Sequence, residues 1–138
     1  MRTVGTFVRL GWRDRAHELL DFFIKDRQPV GWNQWAEVVA REPRKPFFLG
    51  DVPHAWVASD YVRSVLDMFA YERESDKALV IGAGIPDAWL DGEGVSVVGL
   101  RTSYGLLDYS ISRRDGVLHV VVGSGLRLPE GGIVLERR

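Results

Sequence analysis

The apolar residues of this 138-residue chain change their spacing about halfway along. Up to about residue 73 they recur three and four positions apart, as on one face of a helix. After Ser75 they form short runs of β-prone residues separated by glycine. We therefore predict an α+β fold, with a helical half over 1–75 and a β half over 76–138. Because each half alone would bury little apolar surface, both are expected to belong to a single domain.

The first half is predicted to form helices over about 12–26, 32–40 and 53–73. The third of these has the clearest pattern, because Val57, Tyr61, Val65 and Phe69 follow one another at intervals of four residues. Polar residues occupy the opposite face of the same stretch. An amphipathic helix of this kind must pack its apolar stripe against another element.

The second half is predicted to form five strands, over 78–81, 95–100, 104–112, 117–122 and 133–135. Asp115 and Gly116 separate two of these runs, and Asp-Gly is a strong signal for a two-residue hairpin turn. The connections contain no helical pattern, so parallel strand–helix–strand units are not expected. The helices should pack on an antiparallel sheet or a small sandwich covering about 78–136.

Composition excludes several classes of partner. With 18 basic and 19 acidic residues, the net charge of −1 favours neither nucleic acid nor an anionic membrane. No run approaches the roughly 20 apolar residues of a membrane span, and the first residues lack the apolar core of a secretory signal. The chain has no cysteine, so disulfides and thiolate metal sites are excluded. We expect a cytoplasmic location by default and no nucleic-acid or membrane partner.

Three motifs suggest chemistry without sufficient support. Residues 81–86 read Ile-Gly-Ala-Gly-Ile-Pro, but Asp87 stands where a dinucleotide fingerprint needs its third glycine, so a turn is predicted. His17, His54 and His119 lack metal-ligand spacing, and no metal or cofactor is expected. A triad of Asp51, His54 and Ser59 would lack the tight turn that exposes a nucleophilic serine.

One segment is unusually dense in aromatic and polar residues. It comprises Trp32, Asn33, Gln34, Trp35 and Glu37, followed by Asp51, His54, Trp56 and Asp60. Sugar recognition uses such sets, because C–H faces stack on indole rings while hydroxyls require directional donors and acceptors. The alternative interpretation is that the tryptophans anchor a core and that the polar residues cap helices.

The order of these residues resembles a known family. Gly-Trp-Asn-Gln-Trp-Ala-Glu over 31–37, then Gly-Asp-Val-Pro-His-Ala-Trp-Val-Ala-Ser-Asp over 50–60 and a long amphipathic helix, resembles the last inner helices of an (α/α)6-toroid glycoside hydrolase. The later strands resemble the C-terminal β-sandwich of α-L-rhamnosidase-like enzymes. The resemblance covers the chain from about Leu19 onward and implies a carbohydrate context.

The same resemblance argues against catalysis by this chain alone, because the family's catalytic module is several times longer. The family places its base directly after the first tryptophan of the motif, where this chain has Asn33, and an amide cannot deprotonate water. Glu37 would have to substitute, with Asp51 or Asp60 as its partner. An inverting pair of carboxyl groups must lie about 6.5–9.5 Å apart.

Three functions follow as hypotheses. The first is an accessory or fragment-like domain related to a carbohydrate-active enzyme, not catalytic alone. Its sugar contacts would be Trp32, Asn33, Gln34, Trp35, His54 and Trp56. The second is a small oligomerisation or interaction domain with no carbohydrate role, for which a homodimer or another form of self-association is expected. The third is a minimal glycoside hydrolase that uses Glu37 with Asp51 or Asp60.

Overall fold

The structure, a computed structural model, describes residues 1–25, 27, 31–38 and 50–137. It divides into two compact units, a helical unit Met1–Leu66 and a β unit Asp67–Arg138. This division falls earlier than the predicted boundary after residue 75. The α+β class is confirmed, because helices precede two small sheets along the chain. Over the described residues, no helix combines the length and apolar character that crossing a membrane requires.

Three α-helices lie in the described part of the first 69 residues: α1 Arg2–Arg9, α2 Arg13–Lys25 and α3 Ala55–Phe69. α1 was not predicted; its buried Val4 and Val8 lie one turn apart on a single face. α2 confirms the helix predicted over 12–26, whose last residue lies outside the described ones. Gly11, at a φ of 76°, makes the corner between α1 and α2.

The helix predicted over 32–40 is wrong for residues 32–38, and residues 39–40 lie outside the described ones. Here residues 35–37 form backbone hydrogen bonds with residues 51–54 instead of forming a helix. The Glu37 N–H donates to the Asp51 carbonyl at 3.1 Å, and the His54 N–H donates to the Trp35 carbonyl at 3.2 Å. Tertiary pairing therefore overrides the local apolar spacing that suggested a helix.

The helix predicted over 53–73 is real but shorter than expected. It ends at Phe69, and Ala70–Arg73 forms strand β1. β1 pairs antiparallel with β2, Ala78–Ile81, in a register that runs from Ala70 opposite Ile81 to Arg73 opposite Ala78. The strand pairing satisfies backbone groups that a continued helix would have satisfied internally.

The five predicted strands are confirmed within two residues at each end. They are β2, then β3 Val95–Thr102, β4 Gly105–Arg114, β5 Val117–Val122 and β6 Ile133–Leu135. Together with β1, within the described residues, they form two three-stranded sheets, β1-β2-β6 and β3-β4-β5. The second sheet is antiparallel, as predicted, whereas β6 runs parallel to β2. The connection between these two parallel strands contains the whole second sheet and a short 3₁₀-helix, Asp87–Leu90, rather than an α-helix.

The hairpin turn between β4 and β5 also confirms its prediction. Arg114 faces Val117 across the ladder, which leaves Asp115 and Gly116 as a two-residue loop. Both have positive φ, 51° and 77°, as a type I′ turn requires.

The core of the β unit is built from the inward faces of its strands. Its buried members are Ala70, Leu79, Ile81, Ile85, Leu90, Leu107, Tyr109 and Ile111. The Gly-x-Gly segment forms a turn beside this core, as predicted. The Gly82 N–H donates to the Phe69 carbonyl and the Gly84 N–H to the Met68 carbonyl, both at 2.9 Å.

Candidate functional site

Two segments of the helical unit that are distant in sequence lie side by side. Three hydrogen bonds join them: the two backbone bonds described above, and a bond from the Asp51 N–H to Glu37 Oε2 at 3.2 Å. Residues 35–37 therefore face residues 51–54. This pairing brings together side chains that the sequence spacing does not associate.

Glu37, Asp51 and His54 form a cluster as a result, which we call the Glu-Asp-His cluster. One ligand-type atom from each residue, a carboxylate oxygen or an imidazole nitrogen, lies within 4.8 Å of the other two. Glu37 and Asp51 are exposed and His54 is half-buried. Within the described ranges, no lysine or arginine forms an ion pair with either carboxylate.

Gly50 makes room for this arrangement. A Cβ atom there would lie 2.3 Å from Glu37 Oε2 and 2.7 Å from Glu37 Cβ. The residue also has a φ of 67°, a conformation that favours glycine. Glycine is therefore the residue that lets the Glu37 side chain lie against the 50–51 backbone.

Trp35 is a buried packing residue of the site and does not offer its ring to a ligand. Its ring is buried, its Nε1–H donates to the Phe23 carbonyl at 2.7 Å, and its centroid lies 4.8 Å from that of Tyr61. A sugar could not stack on a ring with 7% of its surface exposed. Of the two interpretations of Trp35, the core anchor fits its position.

Trp56 and Trp32, in contrast, are 69% and 63% exposed. Trp56 stands at the start of α3 with its ring centroid 6.5 Å from that of His54. Trp56 and His54 line an open depression of about 540 Å³ together with Asp51, Pro53, Ala55 and Ser59. An exposed indole beside polar groups in a concavity has the character of a binding surface.

Among the remaining predicted site residues, Asn33 and Asp60 have local hydrogen-bond partners, whereas the Gln34 amide nitrogen has none within the described part of the chain. Asn33 Oδ1 accepts a hydrogen bond from Arg27 Nη1 at 2.6 Å. Gln34 Nε2 is buried and finds no hydrogen-bond partner among the described residues. Asp60 lies outside the Glu-Asp-His cluster, because both of its carboxylate oxygens accept from Arg2 Nε at 3.1 Å.

The geometry disfavours the two catalytic arrangements considered above. Ser59 Oγ donates to the Trp56 carbonyl at 2.8 Å, a contact typical of a serine on a helix surface rather than of an activated nucleophile. Glu37 Oε2 accepts the Asp51 N–H at 3.2 Å, so this carboxylate has a structural role in joining the two segments. Asp60 is held by Arg2.

The sequence analysis considered Glu37 with Asp51 and Asp51 with His54 in two separate catalytic hypotheses, but it did not place all three residues of the Glu-Asp-His cluster together. Glu37 was expected on a helix, whereas hydrogen bonds to residue 51 place it beside Asp51. No family model, curated protein or solved structure matches this chain.

Proposed function

We propose that this chain is an accessory domain that contacts carbohydrate, related to the C-terminal region of a carbohydrate-active enzyme and not catalytic alone. The observation that carries the proposal is Trp56. Its indole is largely exposed, and it borders a depression lined by Asp51, His54 and Ser59. The family resemblance of residues 31–37 and 50–60 supports the same conclusion.

The chemistry of the depression suits a sugar ring. The apolar C–H face of a pyranose stacks on indole, while its hydroxyls need donors and acceptors at fixed positions. Asp51 provides acceptors, and His54 provides a donor or an acceptor according to its tautomer. Trp35 contributes indirectly, because its carbonyl accepts the His54 N–H and fixes the backbone beneath the imidazole.

Catalysis is not part of the proposal. Asn33 stands where the resemblance expects the base, and Asp60 is held by Arg2. Glu37 Oε2 accepts the Asp51 N–H, so this carboxylate already has a structural role in joining the two segments. An accessory contact requires none of these groups to transfer a proton.

An NMR titration of the ¹⁵N-labelled chain tests the proposal, using a panel of rhamnosides and plant or bacterial oligosaccharides. At least one sugar should shift the amides of residues 51–59 and the Trp56 indole resonance. Trp56→Ala should weaken that binding by about tenfold or more, because truncating a tryptophan anchor commonly costs 1–2 kcal/mol or more.

Trp89→Ala is the matched control. Trp89 is 51% exposed but lies in the β unit, so its loss should leave the affinity unchanged. If no sugar on the panel perturbs residues 51–59 at millimolar concentration, the carbohydrate role is wrong.

Self-association is a second candidate function, and strand β5 is the observation that favours it. β5 lies at one edge of its sheet, and its sequence Val-Leu-His-Val-Val-Val contains neither an acidic or lysine side chain nor a proline. Edges of this kind are usually protected against pairing by charge, proline or a bulge. Val121 on this strand is 65% exposed.

Sedimentation velocity tests this second candidate. The chain should form a dimer whose proportion does not change on dilution through the micromolar range, and Val121→Lys should convert it to a monomer. Val98→Lys, at an 84%-exposed position on the opposite edge strand β3, should leave the dimer intact. A wild-type chain that sediments as a monomer at every concentration would exclude self-association.

A further inference from the structure

The Glu-Asp-His cluster contains a ligand set that the sequence spacing does not reveal. We propose that Glu37, Asp51 and His54 bind a divalent transition-metal ion such as Zn²⁺ or Mn²⁺. Scattered histidines gave no indication of a metal site, but the ligands here come from two paired segments rather than from one helix. This inference goes beyond the proposed function, because the ion would bind without any sugar.

The identity of the ligands selects the class of ion. Imidazole nitrogen favours Zn²⁺ and its first-row neighbours, and carboxylate oxygens also suit Mn²⁺. Ca²⁺ needs about six to eight oxygen ligands, more than two carboxylates supply. A nitrogen ligand beside two carboxylates therefore favours a transition ion over Ca²⁺.

Charge also favours a bound cation. Two exposed carboxylates approach within 4.8 Å, and in the part of the chain that the structure describes no cationic side chain pairs with either. Carboxylates this close repel each other unless a positive charge lies between them. A divalent ion would balance both charges at once.

The distances are within reach of coordination. Metal–ligand bonds of about 2.0–2.2 Å place the ligand atoms of a tetrahedral site about 3.4 Å apart. The three atoms already lie within 4.8 Å of one another, and two of the side chains are exposed. Three protein ligands also leave a coordination position open to water, as in sites that bind a further ligand.

A titration of the ¹⁵N-labelled chain with MnCl₂ locates the site, because bound Mn²⁺ broadens nearby resonances. Broadening should centre on residues 37, 51 and 54, with the Trp56 indole also affected, since its ring lies 6.5 Å from that of His54. Calorimetric titration with ZnCl₂ then gives the affinity. A tenfold excess of CaCl₂ should not displace the Zn²⁺.

His54→Gln and Asp51→Asn should each weaken Zn²⁺ binding by more than about tenfold, because even loss of a group that only orients a ligand costs about 10- to 100-fold. His119→Gln removes an exposed imidazole on β5, outside the cluster, and should leave the affinity unchanged. These variants change exposed or half-exposed side chains. The amide resonances of α2, in the unit that contains residues 51 and 54, and of β4, in the unit that contains residue 119, show whether each variant is folded.

Gly50→Ala supplies an independent test that changes no ligand. Its Cβ would lie 2.3 Å from Glu37 Oε2 and would displace that carboxylate, so Zn²⁺ binding should weaken. The proposal is wrong if Mn²⁺ broadens other residues, or if no ion binds at millimolar concentration. It is equally wrong if His54→Gln binds as tightly as His119→Gln, or if Ca²⁺ displaces Zn²⁺.

Discussion

The β unit and the helical unit use their apolar residues differently. In the β unit, Leu79, Ile81 and Leu107 are essentially inaccessible and pack in one cluster. Both units leave large apolar side chains exposed, but among the described residues the exposed aromatic rings concentrate in the helical unit: Trp12, Phe22, Trp32 and Trp56 lie there, against Trp89 in the β unit. Burial of this kind serves stability, whereas exposed aromatic rings are available for binding. The difference directs the search for function to the helical unit.

The largest expected effect on stability comes from a pair of alanine substitutions, one at a buried residue of the β unit and one at an exposed residue of the helical unit. Leu79→Ala should lower the free energy of unfolding by about 2–5 kcal/mol, because it removes a fully buried side chain and leaves a cavity. Val62→Ala, at a position 54% exposed, should lower it by less than about 1 kcal/mol. Urea unfolding followed by circular dichroism measures both. Equal losses would mean that Leu79 does not occupy the close-packed core of the β unit.

Most of the β unit was predictable because its signals are local. Runs of β-prone residues mark β2 to β6, and Asp115-Gly116 specifies its own turn. β1 was not predictable in the same way, because residues 70–73 continue a helical spacing and become a strand only by pairing with β2. A local pattern cannot report a partner that lies further along the chain.

Close packing in the β unit gives the next largest effect. A Cβ atom at Gly84 would lie 2.5 Å from Met68 Cβ and 2.6 Å from Met68 Cα, so Gly84→Ala should cost about 1–3 kcal/mol. At Gly125 the nearest atom to an added Cβ is the Leu106 carbonyl oxygen at 3.6 Å. Gly125→Ala should therefore be nearly neutral. Thermal unfolding of the two variants compares them, and similar melting temperatures would contradict the tight turn at Gly84.

The candidate site could be predicted from the sequence only in part. Its residues were recognisable by type, since tryptophans, carboxylates and a histidine concentrate in residues 32–60. Their arrangement was not, because hydrogen bonds between residues 35–37 and 51–54 create it. The sequence also did not predict which tryptophans are exposed. Trp35 and Trp56 belong to similar sequence contexts, yet Trp35 is buried and Trp56 is exposed.

A hydrogen bond inside the β unit gives a smaller, pH-dependent effect. Tyr109 Oη donates to the Phe69 carbonyl at 2.7 Å, and burial raises the pKa of this phenol well above its ordinary value of 10.0. Tyr109→Phe should cost about 1 kcal/mol at neutral pH. The Phe69 carbonyl keeps the hydrogen bond from the Gly82 N–H, which limits the loss.

The sign of the pH dependence follows from the raised pKa. The contribution of Tyr109 is complete below the unfolded pKa near 10 and declines as pH rises above it, because the unfolded phenol ionises first. The stability difference between wild type and Tyr109→Phe should therefore shrink between pH 9 and 11 in urea unfolding. Tyr104→Phe, which removes an exposed hydroxyl 3.4 Å from the Lys77 carbonyl, is the control. A difference that stays constant would contradict the buried phenol.

The smallest expected effect on stability comes from removing one surface ion pair in each unit. In the β unit, Arg73 donates to Asp76 at 2.9 and 2.8 Å, and these hydrogen bonds lower the pKa of Asp76. In the helical unit, Lys25 donates to Asp21 at 2.8 Å and lowers the pKa of Asp21. Planar arginine engages both carboxylate oxygens, whereas lysine makes one contact, so Asp76→Asn should destabilise more than Asp21→Asn.

Both pairs should lose their contribution in acid. A lowered folded pKa means that the stabilisation is present above the unfolded value of 3.8 and disappears as pH falls through the folded value. Each variant should therefore be less stable than wild type at pH 7 and equal to it near pH 2, as measured by urea unfolding. High salt at pH 7 should reduce both differences, since exposed charges are screened. A larger loss from Asp21→Asn would mean that chelation by arginine gives no advantage at this surface.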